Sequence, residues 1–237
     1  MIATFINAGL VLLGSIIGLL FKKYISDRFS SVITQALALC VLVIGITMAI
    51  QTADTLCVIL CMVLGTLLGE ALKIEQRLDG AGEFLRRKLI RTEGSSSRFT
   101  EGFVTATLLY CVGAMAITGS IEAGLNHNYG IIVSKGVIDG VTSITFAAAM
   151  GVGVAFSILP LILYQGAITL LASVVGPYLG EAVILEMSAV GGIAIIGIAC
   201  NMLGVTKTKI KVGNMLPAIF LPIAYIPFSQ WLSSLLG

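Results

Sequence analysis

Charged residues are scarce in this sequence. Asp, Glu, Lys and Arg make up 11% of it, hydrophobic residues make up 57%, and the mean hydropathy is +1.05. A soluble domain has about 25% charged residues, so the composition excludes a soluble globular protein and indicates a chain embedded in a lipid bilayer. The net charge of +2 is too small to indicate a nucleic-acid partner.

Residues that usually bind metals or carry out catalysis are also few. The single histidine, His127, has no neighbouring ligand that would make it a metal site. All five cysteines fall inside apolar runs, which argues against disulfides, and Cys57 and Cys61 lack the further ligands of a metal site. The sequence contains no phosphate loop, dinucleotide fingerprint, catalytic triad or metalloprotease motif. We therefore expect neither an enzyme nor a bound cofactor or metal.

Long apolar runs are what the chain has instead. Since unpaired backbone groups are not tolerated in lipid and the runs lack the alternation of barrel strands, they are predicted to be helices. Residues 1–21 lack the basic start of a signal peptide, so we expect them to be retained as span one. Eight runs have the length of about 20 residues that crosses a bilayer, near 2–21, 32–50, 54–72, 103–125, 135–156, 158–176, 183–203 and 214–234. The sequence thus predicts an all-α, polytopic membrane protein.

Local breaks in this pattern are also predicted. Residues 73–98 are charged and roughly amphipathic, which favours a helix on the membrane surface followed by a flexible break at 94–97. Pro177 should end span six. Pro217, Pro222 and Pro227 recur every five residues, so span eight should be kinked or irregular.

Basic residues predict the orientation. Of the 14 Lys and Arg residues, three follow span one, seven follow span three and three follow span seven. The links at 51–54, 126–134 and 177–182 contain no Lys or Arg. The remaining basic residue, Lys135, lies at the start of span five. The positive-inside rule therefore places the basic links in the cytoplasm and both termini outside it.

Two halves of the sequence resemble each other. Residues 13–16 (Leu-Gly-Ser-Ile) recur 105 positions later as Thr-Gly-Ser-Ile, and Gly65-x-x-x-Gly69-Glu70 recurs 111 positions later as Gly176-x-x-x-Gly180-Glu181. Each copy holds three spans, an odd number, so the copies should have inverted topology. We expect a first repeat at 1–98, an inverted second repeat at 99–203, and a basic loop with the last span at 204–237.

Ionisable residues in or beside spans are candidate solute ligands, because each costs at least a few kcal/mol at the bilayer centre. Glu70 and Glu181 follow matching motifs in the two copies, and they are predicted either to line a polar path or to be solvated at headgroup depth. Lys135 and Asp139 are spaced i, i+4 and can pair on one helix face. Thr142 and Ser143 follow, and they could bind a solute or hydrogen-bond to helix carbonyls.

Asn7, Asn201 and Asn214 are polar residues in or beside spans, and they could line a cavity or form hydrogen bonds between helices.

Small residues suggest close helix packing or helix breaks. The glycine and serine positions in question are Gly14, Ser15, Gly18, Gly65, Gly69, Gly119, Ser120, Gly176 and Gly180, for which packing is favoured over a break.

These residues resemble the bacterial domain-of-unknown-function family 554, the YqgA/YdfK-like inner-membrane proteins. The resemblance rests on Asn7-x-x-x-Val11-x-x-Gly14-x-x-x-Gly18, on Gly65-x-x-x-Gly69-Glu70, and on the spacing of the spans. It implies a bacterial inner-membrane protein and supplies no activity.

The favoured hypothesis is a secondary transporter or permease for a small solute or ion, with a midplane site between inverted copies. One alternative is a channel or pore, for which the Gly-x-x-x-Gly faces could join two copies as a homodimer. Another is a non-transporting scaffold whose basic helix at 73–92 binds a partner or anionic lipid.

Overall fold

Helices form the fold of the residues that this computed structural model describes, which are 1–22, 27–89 and 96–236. Five helical segments are long and apolar enough to cross a membrane, and three bent helix pairs bring the candidate spans to eight. Those residues contain no strand. The predicted all-α membrane architecture is therefore confirmed.

The helices follow each other along the chain with short connections. In chain order they are α1 (Ile2–Lys22), α2 (Asp27–Ala49), α3 (Thr55–Ala71), α4 (Ile74–Leu89), α5 (Ser96–Cys111), α6 (Ala114–Leu125), α7 (Gly130–Met150), α8 (Gly153–Phe156), α9 (Ile158–Leu170), α10 (Ala172–Val175), a short 3-10 helix (Gly176–Tyr178), α11 (Glu181–Leu203), a second 3-10 helix (Val212–Phe220) and α12 (Pro222–Leu236).

Span four is broken, whereas the sequence predicted one continuous helix. The axes of α5 and α6 differ by 59°. Gly113 lies between them with a φ of 132°, a conformation that a residue with a side chain rarely adopts. The predicted irregularity of span eight is confirmed, because Pro217 lies inside the second 3-10 helix and α12 is bent from it by 43°.

Other boundaries differ from the prediction at glycine and proline positions. Span five ends at Met150 rather than near 156, because Gly151 has a φ of 90° and cannot continue the helix. Span six ends at Leu170 rather than at Pro177, which lies in the short 3-10 helix that follows α10. The predicted domain boundary at 98/99 falls inside α5.

The amphipathic segment forms α4, which bends 57° away from α3. It packs against α5 and the second 3-10 helix, and its Leu78 is half-buried whereas Phe84 is exposed. Residues 90–95, which include the start of the predicted break at 94–97, lie outside the described residues, as do the side chains of 85–89. A position on the membrane surface stays a prediction.

The most extensive packing joins early helices to late ones. α1 runs parallel to α7, with Asn7 beside Gly136 and Gly18 beside Ile144. α2 lies antiparallel to α11 through Gly45 and Gly192, and α3 lies antiparallel to the second 3-10 helix. Helices of the predicted segments are thus interleaved, and the inverted repeat stays a prediction.

Candidate functional site

Three polar side chains lie on one face of α7. Lys135, Asp139 and Ser143 are four residues apart, a spacing that places side chains above one another along a helix. All three are buried. Lys135 Nζ and the Asp139 carboxylate form a direct ion pair, so the pairing expected from their spacing is present in the structure.

Asp139 lies close to the middle of its span. It is the tenth of the 21 residues of α7, which places it about 15 Å from each end at 1.5 Å per residue. A single charge at this depth is unfavourable by at least a few kcal/mol, and pairing with Lys135 offsets part of that free energy.

Two amides from other spans join the ion pair. Asn7 on α1 donates from Nδ2 to Asp139 Oδ2 at 3.4 Å and to Gln165 Oε1 on α9 at 3.2 Å. Both amide side chains are fully buried. Since a carboxylate accepts hydrogen bonds, the nitrogen of Asn7 rather than its oxygen must face Asp139.

Two hydroxyl groups also lie beside the ion pair. Ser143 donates to the backbone carbonyl of Asp139 at 2.6 Å, so the Tyr110 hydroxyl, 2.9 Å away, is the donor to Ser143. Lys135 Nζ lies 6.0 Å from the centre of the Tyr110 ring. Six residues therefore form what we call the polar cluster: Asn7, Tyr110, Lys135, Asp139, Ser143 and Gln165.

Thr142 lies at the edge of the polar cluster, beside the Tyr110 hydroxyl. Its hydroxyl donates to the carbonyls of Ile138 and Asp139, both at 3.0 Å, within its own helix. This is the local bonding that was the alternative interpretation of the sequence.

Glu70 is placed at one end of the helix bundle. Its exposed carboxylate accepts from Lys211 Nζ at 2.8 and 3.0 Å and from Asn214 Nδ2 at 2.6 Å. Asn214 also accepts from the Glu75 backbone N–H at 2.7 Å. Glu70 thus helps to join the end of α3 to the start of span eight, away from the polar cluster.

Glu181 is exposed in the first turn of α11. The buried acid of this helix is Glu186, which accepts from Thr52 Oγ1 at 2.6 Å and from the N–H groups of Ala53 and Asp54 at 2.8 and 3.1 Å. Of the six predicted ligands, the structure therefore brings together Lys135, Asp139 and Ser143, with Thr142 at the edge of the same cluster.

Comparison with known proteins gives the family. Residues 2–226 match the family described as "Protein of unknown function (DUF554)". The chain belongs to the DUF554 family. The resemblance seen in the sequence motifs is thereby confirmed.

Two curated DUF554 relatives cover almost the same length. The chain is 34% identical over 226 residues to "Uncharacterized membrane protein YdfK" of Bacillus subtilis (strain 168), which is 94% of each protein. It is 27% identical over 222 residues to "Uncharacterized protein YqgA" of Escherichia coli (strain K12), covering 93% of this chain and 94% of the relative. No solved structure matches.

The glycines quoted for the DUF554 resemblance pack helices closely. A Cβ at Gly14 or Gly18 would overlap carbonyl oxygens of α7, and one at Gly65 or Gly69 would overlap the backbone of span eight. Gly119 contacts Ile131 and Ile132 of α7. Neither Gly14-Ser15 nor Gly119-Ser120 interrupts its helix, so the helix-break interpretation is wrong there.

Gly176 and Gly180 differ from these packing glycines. Gly176 begins the short 3-10 helix and Gly180 immediately precedes α11, so both mark a helix break. A Cβ at Gly180 would meet nothing within 4 Å.

Sequence reasoning missed Gln165 and Tyr110. Gln165 is a lone amide within the apolar run of α9, and the rule that polar groups in spans face the bundle interior could have selected it. Tyr110 carries no comparable signal, because a tyrosine in a span is equally consistent with apolar packing.

Proposed function

We propose that this protein is a secondary transporter or permease for a small solute or ion in a bacterial inner membrane, with both termini outside the cytoplasm. The solute site is the polar cluster, with Lys135 and Asp139 at its centre. The observation that carries the proposal is this ion pair, buried near the middle of α7.

Stability alone does not explain why an ion pair is buried at this position. Apolar residues of similar size often stabilise a protein as well as a buried ion pair does, because of the cost of removing charges from water. Ionisable groups within spans commonly mark solute, ion or proton pathways. In a carrier, binding to either Lys135 or Asp139 would weaken their mutual contact and so link occupancy to conformation.

The packing suggests which parts move. Helices α1, α5, α7 and α9 supply the polar cluster and, together with α6, pack mainly within one group that centres on α7 and α9. Helices α2, α3, α11 and span eight pack mainly with one another. An apolar cleft of about 640 Å³ lies between the two groups, lined by residues such as Leu108, Leu163, Met187 and Leu216. We propose that alternating access moves these two groups of helices, rather than two sequence halves, relative to each other.

Flux measurements test the proposal. Purified protein in liposomes, with an entrapped pH-sensitive dye and a panel of labelled small solutes, should show solute or proton flux. Asp139→Asn should reduce it about tenfold or more, the effect of losing about 1.4 kcal/mol of binding or transition-state interaction. Glu181→Gln is the matched control, since it removes the same charge from an exposed position.

Unchanged flux in folded Asp139→Asn protein, verified by size-exclusion chromatography, would exclude the polar cluster from the mechanism. Loss of flux in Glu181→Gln would show that Glu181 belongs to the solute site. Flux that saturates at low solute concentration supports a carrier, and single-channel currents would favour a pore instead.

A further inference from the structure

Four buried polar groups on α1, α6 and α9 have no hydrogen-bond partner among the described residues. They are Asn7 Oδ1, Gln165 Nε2, Ser120 Oγ and Thr169 Oγ1. Each of these side chains belongs to a residue that is more than nine-tenths buried. A buried polar group without a partner is unfavourable, and native proteins usually satisfy such groups with protein, water or ligand.

The four groups lie along one seam between α1, α6 and α9. Asn7 is hydrogen-bonded to Gln165, and Thr169 is one turn further along α9. Gly124 of α6 packs against the backbone carbonyl of Thr169, and Ser120 precedes it by one turn on the same face. Ser120 therefore lies on the face of α6 that packs against α9.

The chemistry of the seam is neutral and mixed. An amide oxygen accepts, an amide nitrogen donates, and the two hydroxyls do both. None of these groups carries a formal charge, and the neighbouring Lys135 and Asp139 neutralise each other. A ligand that satisfies the seam therefore needs both donors and acceptors and no net charge.

We propose that the seam of Asn7, Ser120, Gln165 and Thr169 binds an uncharged solute that carries hydroxyl or amide groups. This inference rests on the proposed function, because it names the class of solute for the polar cluster. In this arrangement Lys135 and Asp139 contact a neutral solute and do not bind an ion of either sign.

Stopped-flow light scattering of proteoliposomes tests the inference with glycerol and urea as probes. Protein-dependent entry of at least one probe is expected. Ser120→Ala and Thr169→Val should each slow it by about tenfold, as when one hydrogen bond to the solute is lost. Neither should lower the melting temperature, because each removes a polar group that has no partner. Ser15→Ala is the matched control, since it removes another buried, unpartnered hydroxyl two turns from Asn7 on α1.

Several results would overturn the inference. Asp139-dependent flux of choline or phosphate, without protein-dependent glycerol or urea entry, would refute it and leave the proposed function standing. Protein-dependent water permeability alone would refute the inference and would indicate a pathway for water instead. Equal effects of Ser120→Ala, Thr169→Val and Ser15→Ala would show that the solute does not contact the seam. No protein-dependent flux of any probe would refute both proposals.

Discussion

The amide nitrogen of Asn7 on α1 lies 3.4 Å from the carboxylate of Asp139 on α7, although 132 residues separate the two in the chain. The contact ties the first span to the ion pair of the fifth. It also fixes the orientation of the Asn7 amide, whose oxygen therefore points away from the carboxylate.

Removing one partner of the ion pair should destabilise the protein. We expect Asp139→Asn to lower the free energy of unfolding by about 3–5 kcal/mol, because Lys135 is left buried without its counter-charge. The double variant Lys135→Met/Asp139→Asn should recover much of this loss. The coupling between the two residues is measured by unfolding both single variants and the double variant in detergent micelles. If the two single-variant losses simply add in the double variant, the prediction is wrong.

A methyl group at Gly14 should separate α1 from α7. Its Cβ would overlap the Gly140 carbonyl oxygen, so Gly14→Ala should cost about 1–3 kcal/mol of stability. Gly9→Ala lies on the same helix and meets nothing within 4 Å, so this control should be neutral or slightly stabilising. Equal melting temperatures for the two variants would be inconsistent with close packing at Gly14.

Glu186 should hold the turn before α3 in place. Because its carboxylate accepts two backbone N–H groups and the Thr52 hydroxyl, Glu186→Gln should speed hydrogen exchange at Ala53 and Asp54. The exposed Glu181→Gln serves as the control, with unchanged exchange there. Identical exchange in both variants would show that the turn is held by other contacts.

Asn214 should matter more for stability than Lys211. Asn214→Ala removes hydrogen bonds to Glu70 and to the Glu75 backbone, and we expect a loss of about 1–3 kcal/mol. Lys211→Ala removes an exposed ion pair, which water and salt screen, so its effect should be smaller. A ranking in the opposite order, measured by thermal unfolding, would disprove this assignment.

The proposed orientation can be tested with reporter fusions. Alkaline phosphatase at the C-terminus should be active and green fluorescent protein there should be dark, because both termini are expected outside the cytoplasm. Insertion of the same reporters at 205–208, within the basic link, should give the reverse pattern. Fluorescence of the C-terminal fusion would contradict the prediction and would show that every span has the opposite orientation.

Local features of the fold were predictable because they depend on neighbours in the chain. The irregular span eight follows from Pro217, which lacks the N–H that an α-helix needs. The Lys135–Asp139 pair follows from helical spacing. The break at Gly113 was missed, because glycine permits its φ of 132° without requiring it.

The sequence by itself determined a helical membrane protein, the irregularity of its last span and the ion pair on α7, since apolar length, proline and i, i+4 spacing act within one segment. Only the tertiary structure decided that Asn7, Tyr110 and Gln165 join this pair, and that Glu70 and Glu181 do not. The physical reason is that contacts between spans depend on which helix faces meet, and those faces are set by glycine packing along the whole bundle.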